Sequence, residues 1–163
     1  MTNFNTPDLC DAIESAGDIP QATVAFSDFG GVSNFYGAIA TVLCFEDNGK
    51  VRTMLETQGN GRVLVVDGGA SRHCALVGGN LAELAKKNGW MGIIVNGCVR
   101  DTEELAATAV GVKALAAMPR RSQKRGSGET DVTVQFDGLT FVPGHYVYAD
   151  EDGIVVCEKH QSL

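Results

Sequence analysis

The chain carries an adjacent cation and anion, Arg100-Asp101, directly after the apolar run Gly92-Ile93-Ile94-Val95-Asn96 and the linker Gly97-Cys98-Val99. A run of this kind reads as a buried strand, and ligands of open α/β sheets bind beyond the carboxyl ends of such strands. Arginine presents a rigid planar fork suited to a carboxylate or an enolate oxygen. One aspartate is too little for zinc, but it suits magnesium, which keeps several waters and takes one or two carboxylates plus substrate oxygens. The competing reading is a solvated ion pair at a loop start, worth little.

A second group lies upstream. Gly78-Gly79-Asn80-Leu81 precedes an expected helix, whose first amides have no intrahelical acceptors and can receive an anion. Two glycines before a helix are more often a plain turn. Here the helix leads to the strand that delivers Arg100, so both groups are expected at one edge. Together they describe a site for a 2-oxo acid: a divalent cation, Mg2+ or Mn2+, on Asp101, the ketone oxygen facing Arg100, and the carboxylate on the Gly78, Gly79, Asn80 and Leu81 amides.

The elements that must position these groups follow from patterning. Arg62-Val63-Leu64-Val65-Val66 has no polar alternation, as expected of a parallel strand covered on both faces, and residues 62–96 form a strand-helix-strand unit. Its two strand ends, near Asp67 and Gly97, are expected side by side. Thr6-Pro7 reads as N-cap and first helical residue of a helix through Ile13, with Leu9, Ala12 and Ile13 on one face. Thr23–Phe26 and Ala38–Cys44 read as strands with a turn at Asp28-Phe29-Gly30-Gly31. Asp47-Asn48-Gly49 is expected to cap a helix bearing Val51, Met54 and Leu55, Thr102–Ala109 to form a short helix, and Gly111–Ala116 a strand. Arg120–Glu129 reads as a polar loop. Beyond it, short segments around Val132-Thr133-Val134, Phe141-Val142, Tyr146-Val147-Tyr148 and Ile154-Val155-Val156 indicate an antiparallel, barrel-like end.

Bulk properties narrow the alternatives. A length of 163 residues, 44% of them hydrophobic and 20% charged, suits one globular domain, 1–163, with a sizeable core. No apolar run is long enough to span a bilayer and no signal-peptide layout opens the chain, so a cytoplasmic protein without membrane contact is expected. Five scattered cysteines with no C-x-x-C argue for reduced thiols. Cys44 and Cys157 read as core residues, and Cys98 as the one thiol beside the site. The net charge of −7 arises entirely in residues 1–49, which hold seven acids and neither Lys nor Arg. Such a face suits solubility or a basic partner and disfavours direct nucleic-acid binding. Arg120, Arg121, Lys124 and Arg125 form a basic cluster without interleaved aromatics, which reads as a mobile solvated loop. His73, near the glycine turns, reads as an ordinary polar contact. The absence of G-x-G-x-x-G and of G-x-x-x-x-G-K-[ST] leaves nucleotide binding without local support.

Several blocks in order resemble the RraA family, which comprises regulators of ribonuclease E activity and class II 4-hydroxy-4-methyl-2-oxoglutarate aldolases. They are Thr6-Pro7-Asp8-Leu9-Cys10-Asp11, Cys44-Phe45-Glu46-Asp47-Asn48, Gly61–Gly69, Ala75–Leu81, Asn88-Gly89-Trp90, Gly97–Asp101 and Tyr148-Ala149-Asp150. The resemblance implies a single α/β domain of the swivelling β/β/α type, with central parallel strands and β-rich flanks. It further implies a homotrimer, sometimes doubled to a hexamer, with sites at subunit boundaries. In the aldolase branch it assigns substrate contact to Arg100, the divalent metal to Asp101 and the carboxylate to Gly78–Leu81. The implied reactions are cleavage of 4-hydroxy-4-methyl-2-oxoglutarate to two pyruvates and decarboxylation of oxaloacetate, both through a pyruvate enolate. The alternative implied by the family is a ribonuclease E-type protein partner, inhibited without catalysis. One departure stands out: the aldolase pattern often has an aspartate where this chain has Gly79. That leaves the proton-handling group unassigned, with Glu104, Asp67 or a partner subunit as candidates.

Overall fold

The computed structural model describes residues 4–162. The elements in chain order are α1 (Thr6–Ser15), β1 (Gln21–Thr23), β2 (Ser27–Asp28), β3 (Phe35–Leu43), α2 (Gly49–Leu55), β4 (Val63–Asp67), β5 (Ala75–Val77), α3 (Gly79–Lys87) and β6 (Gly92–Val99). They continue with α4 (Thr102–Ala107), β7 (Gly111–Ala117), β8 (Glu129–Thr130), β9 (Val134–Phe136), β10 (Leu139–Phe141), β11 (Tyr146–Ala149) and β12 (Ile154–Cys157). One sheet runs in the order β1-β12-β11-β3-β4-β6-β7-β2, with β5 added beside β6 and β8 beside β3. Its centre, β3-β4-β6-β7, is parallel, and its β11, β12 and β1 side is antiparallel.

The central strands lack polar alternation because each face has its own cover. Leu64, Val66, Ile93 and Val95 pack beneath α2, α3 and α4, joining Val51, Leu55, Leu81, Ala85 and Leu105. Their neighbours Val63, Val65 and Ile94 face the opposite way, into a second core with Phe136, Phe141, Val147 and Ile154. The period of two thus sorts one apolar run into two cores. A third, smaller cluster seats α1, where Leu9 and Phe4 meet Tyr148 and Val155.

Several boundaries differ from the sequence reading for local reasons. The N-cap of α1 is Asn5, whose side chain accepts from the Asp8 amide at 2.8 Å, so Pro7 lies one position further in. Thr6 is instead drawn to the buried Asp150 carboxylate, donating its amide at 2.5 Å and its hydroxyl at 2.8 Å. Ala12, expected inward, is exposed, and the first strand ends at Thr23 rather than extending to Phe26. The strand read as Gly92–Asn96 continues to Val99, because the three-residue β5 pairs with its far end. Cys98 therefore lies inside a strand and is 1% exposed, with burial pushing its thiol pKa up, so it lines no site. Cys44 and Cys157 are core residues as expected, their thiols raised to about 12 and about 11 by burial.

Candidate active site

Three parallel strands end together, and each exit delivers one wall of a cleft. Val77 of β5 pairs with Val99 of β6, and the Arg100 amide donates to the Val77 carbonyl at 2.9 Å. Gly78 and Arg100 therefore leave adjacent strand ends. Beyond β7, the Met118 amide donates to the Val99 carbonyl at 2.8 Å, which starts the Arg120–Glu129 loop at the same edge. The resulting cleft encloses about 60 Å³ and is faced by Asn48, Arg52, Arg100, Asp101, Arg121 and Lys124, with Gly78, Asn80 and Leu81 along its floor. This is the sheet edge at which open α/β folds place ligands.

Asp101 is held in the left-handed region, φ 56° and ψ 50°, which a residue other than glycine adopts at some cost and which aspartate tolerates better than most. It occupies the N-cap of α4 without capping it. Its Oδ2 instead accepts from the Gly79 amide at 3.1 Å, while Oδ1 has no hydrogen bond among the described residues. The Arg100 Nε lies 3.8 Å from Asp101 Oδ2 and an Nη1 reaches the Pro119 carbonyl at 3.5 Å, with both charged side chains more than a third exposed. Contacts this long leave the guanidinium free to take an anion.

Glycines at 78 and 79 answer a steric demand. A Cβ on Gly78 would stand 2.6 Å from Asp101 Oδ2, and one on Gly79 would fall onto the Glu104 carboxylate. With Gly79 bonded to Asp101, the next amides of the first turn of α3, those of Asn80 and Leu81, have no acceptor among the described residues. Both residues line the cleft, at the positive end of the helix. All the expected site residues thus come together at this edge, although Gly79 itself is turned toward Glu104.

The basic loop departs from expectation. It is not a free solvated segment, because Asp47, 2% exposed, holds it down. Asp47 Oδ2 accepts from the Arg125 amide at 2.7 Å and from Ser127 Oγ at 3.0 Å; Oδ1 accepts from the amides of Gly126 at 3.1 Å and Gly49 at 2.9 Å. Burial works to raise the Asp47 pKa, but these donors outweigh it and hold the carboxyl below its ordinary range. Further backbone bonds join Ala75 to Arg120 and Gln123 to Glu46 and Asn48. Arg121 and Lys124 are thereby carried to the cleft that Arg100 also lines. The buried partner of the cluster, Asp47, could not be recognised from the four cations alone.

One other expectation changes and one holds. Asp67 Oδ1 accepts from Asn96 Nδ2 at 2.9 Å and from the Gly69 amide at 3.0 Å, in a recess with Phe26 and Gln135 apart from the cleft, which removes it from the proton-handling candidates. His73 makes the expected polar contact, its Nδ1 lying 2.8 Å from Glu46 Oε1, on which Ser71 Oγ also converges at 2.6 Å.

Whether Asp101 suits a divalent cation is a matter of its donor set. No group of three or more His, Cys, Asp or Glu is placed to hold an ion among the described residues. A single carboxylate with an unengaged oxygen at the mouth of a polar cleft matches an ion that keeps its waters and shares its shell with substrate, as magnesium does.

The fold and the cleft together define an α/β protein that gathers a carboxylate, an arginine and free helix amides at the carboxyl ends of parallel strands. The family model for RraA-like proteins (Aldolase/RraA) matches residues 6–156, and the chain belongs to this family. A Burkholderia mallei relative named "Putative 4-hydroxy-4-methyl-2-oxoglutarate aldolase" is 58% identical over 158 residues, covering 95% of this chain and 96% of its own. The RNA-processing inhibitor RraA from Thermus thermophilis superposes with a TM-score of 0.93 at 44% identity, over 99% of this chain and 96% of that one. A Geobacillus kaustophilus structure described as an S-adenosylmethionine:2-dimethylmenaquinone methyltransferase gives 0.92 at 46% identity, over 96% of each chain. The expected mixed α/β architecture is that of these neighbours, and no helix among the described residues is long and apolar enough to cross a membrane.

Proposed function

We propose that the chain is a divalent-metal-dependent carbon-carbon lyase acting on short 2-oxo acids with a second carboxylate. Its substrates would be 4-hydroxy-4-methyl-2-oxoglutarate, cleaved to two pyruvates, and oxaloacetate, decarboxylated to one. The observation that carries this reading is the convergence of Asp101, Arg100 and the Asn80 and Leu81 amides on one cleft. Aldolase-named relatives at 58% identity support the same reaction class.

The residues divide the work. The amides of Asn80 and Leu81 receive the carboxylate next to the ketone. Arg100 faces the ketone oxygen and neutralises the charge it gains as the enolate forms, an interaction stronger in the transition state than in the ground state. Arg121, Lys124 and Arg52 supply positive charge for the distal carboxylate. Asp101 would hold the cation, Mg2+ or Mn2+, which supplies Lewis-acid stabilisation of the same oxygen. Both reactions pass through a pyruvate enolate, so one electrostatic arrangement serves both. We also propose a trimeric or hexameric assembly. The test is pyruvate production from each substrate with and without added magnesium, corrected for the free ion; no increment from the protein on either substrate would refute the reading.

A second reading, inhibition of a ribonuclease E-type enzyme through protein contact, is favoured by the likeness to the Thermus inhibitor and by the exposed acids Asp8, Asp11 and Glu14 along α1. Inhibition that survives Asp101→Asn would support a surface-binding mechanism, and its loss would tie regulation to the cleft.

A further inference from the structure

A second opening lies at the carboxyl edge of the same parallel strands, on the face away from the helices. Asp67 ends β4 and is in register with Asn96 of β6. Both alternate in the same sense as Val65 and Ile94, so their side chains turn toward the second core and away from α2, α3 and α4. That core stops short of the edge. It leaves an open recess of about 450 Å³ beside the β9–β10 hairpin, with Phe26, Leu115 and Phe136 as apolar walls and Asp67, Asn96 and Asp137 among its polar groups. The recess shares no residue with the cleft of Arg100 and Asp101.

Each of the three polar side chains is fixed through one atom and has an oxygen to spare. Asp67 Oδ1 takes both the Asn96 amide group and the Gly69 backbone amide, and Oδ2 meets no donor among the described residues. Asp137, at φ 51° in the turn of the β9–β10 hairpin, accepts the Thr23 hydroxyl on Oδ2, and its Oδ1 is free in the same sense. Asn96 is only 7% exposed, and its Nδ2 is spent on Asp67. Its Oδ1 meets no donor among the described residues, where no fully buried side-chain oxygen lacks a partner, so this atom opens on the recess that Asn96 lines. No lysine or arginine lines the recess, and neither carboxylate has an ion-pair partner among the described residues.

We infer that this recess binds a small primary amine as its ammonium ion. A primary ammonium carries three donors and no acceptor. The recess offers Asp67 Oδ2, Asn96 Oδ1 and Asp137 Oδ1 as acceptors, with no resident cation to compete. The alkyl stem finds its place on Leu115 and on the Phe26 and Phe136 rings, 5.7 Å apart, and aromatic rings add their own attraction for a cation. The volume is that of a small-molecule site, typically about 300–1,000 Å³. Two carboxylates against one ammonium favour a ligand with a second amine, so a short diamine should bind more tightly than a monoamine. The same charge repels 2-oxo acids, and the inference stands or falls independently of the lyase reading.

The test is titration of putrescine, butylamine and tetramethylammonium, the last a cation without N–H donors, at low ionic strength. Wild type, Asp67→Asn, Asp137→Asn and Asp101→Asn are compared by calorimetry and by NMR shifts of the backbone amides. The expected result is saturable binding of putrescine at millimolar concentration or below, with shifts centred on Gly69, Asn96 and the β9–β10 hairpin. Its affinity should fall about tenfold in Asp67→Asn and in Asp137→Asn and hold in Asp101→Asn. Asparagine adopts the turn conformation of Asp137 readily, so that variant tests the recess even if Asp67→Asn fails to fold. Unchanged affinity in the recess variants, equal binding of tetramethylammonium, or shifts centred on the cleft would each overturn the proposal. So would an absence of binding; if the recess amides then shift on dilution of the protein, a second copy of the chain covers these oxygens instead.

Discussion

Replacing Asp47 with alanine removes the carboxylate that fastens the basic loop to the start of α2. Four hydrogen bonds are lost, from the amides of Gly49, Arg125 and Gly126 and the Ser127 hydroxyl, at 2.7 to 3.1 Å. A hydrogen bond to a charged group is worth about 1.5–3 kcal/mol. The full sum does not apply, because the loop is exposed on its outer side and its freed amides regain water once it lifts. A net cost of about 3 kcal/mol is expected, which for a chain of this size lowers the thermal midpoint by roughly 6–12 °C. Asp47→Asn keeps the shape and one accepting oxygen, and should lie between. The pH dependence follows from the lowered pKa: the stabilisation is present above the ordinary carboxylate value of 3.8 and is lost as pH falls through the lower folded value. The wild-type advantage over Asp47→Ala should therefore be constant from about pH 5 to pH 8 and shrink below about pH 4. Calorimetry gives the midpoint, and limited trypsin digestion gives the locality, since Arg121, Lys124 and Arg125 become early cleavage points once released. A midpoint within one or two degrees of wild type together with an unchanged tryptic pattern would refute the reasoning.

Other changes test the remaining elements. Lys113, 1% exposed at its side chain, is paired with Asp28 Oδ1 at 2.9 Å, so Asp28→Ala strands a buried cation and should cost about 2–4 kcal/mol by denaturant unfolding, most of it recovered by adding Lys113→Met. A Cβ at Gly111 would run into the Phe35 ring, so Gly111→Ala should overpack the second core and cost about 1–3 kcal/mol in the same assay. Arg121→Ala with Lys124→Ala should raise the KM for oxaloacetate about tenfold or more in a steady-state assay of pyruvate formation, the loss of at least one charge-assisted contact of ~1.4 kcal/mol.

The sequence pattern reveals the central strands and helices because their periods are long and their caps ordinary. Val63 to Val66 and Ile93 to Val95 read as parallel strands since both faces are buried, and Gly78 to Leu81 with Arg100-Asp101 were legible as facing groups because a strand-helix-strand unit must bring its ends together. What escaped depends on contacts distant in the chain. The strand Ala75–Val77 has only three residues and exists through pairing with β6, and its presence moves Cys98 from a loop into the core. The basic loop is ordered by Asp47, 78 to 80 residues away, so no local signal separates it from a solvated segment. Asn5 captures the cap of α1 because Asp150, near the other end of the chain, engages Thr6. Glu104 is legible in the sequence as an acid close to the Arg100-Asp101 pair, whereas its packing against Gly79 is a contact between separate helices.

The central claim is that Asp101 holds the cation on which catalysis depends. Asp101→Asn is the appropriate variant, because asparagine tolerates the left-handed backbone at φ 56° and keeps the shape and one accepting oxygen while removing the charge. The measurement is the magnesium dependence of oxaloacetate decarboxylation by wild type and Asp101→Asn, each above the rate of the ion by itself. Wild type should show a saturable magnesium-dependent increment, and Asp101→Asn, with unaltered circular dichroism, should show none. An equal increment in the two proteins would contradict the account.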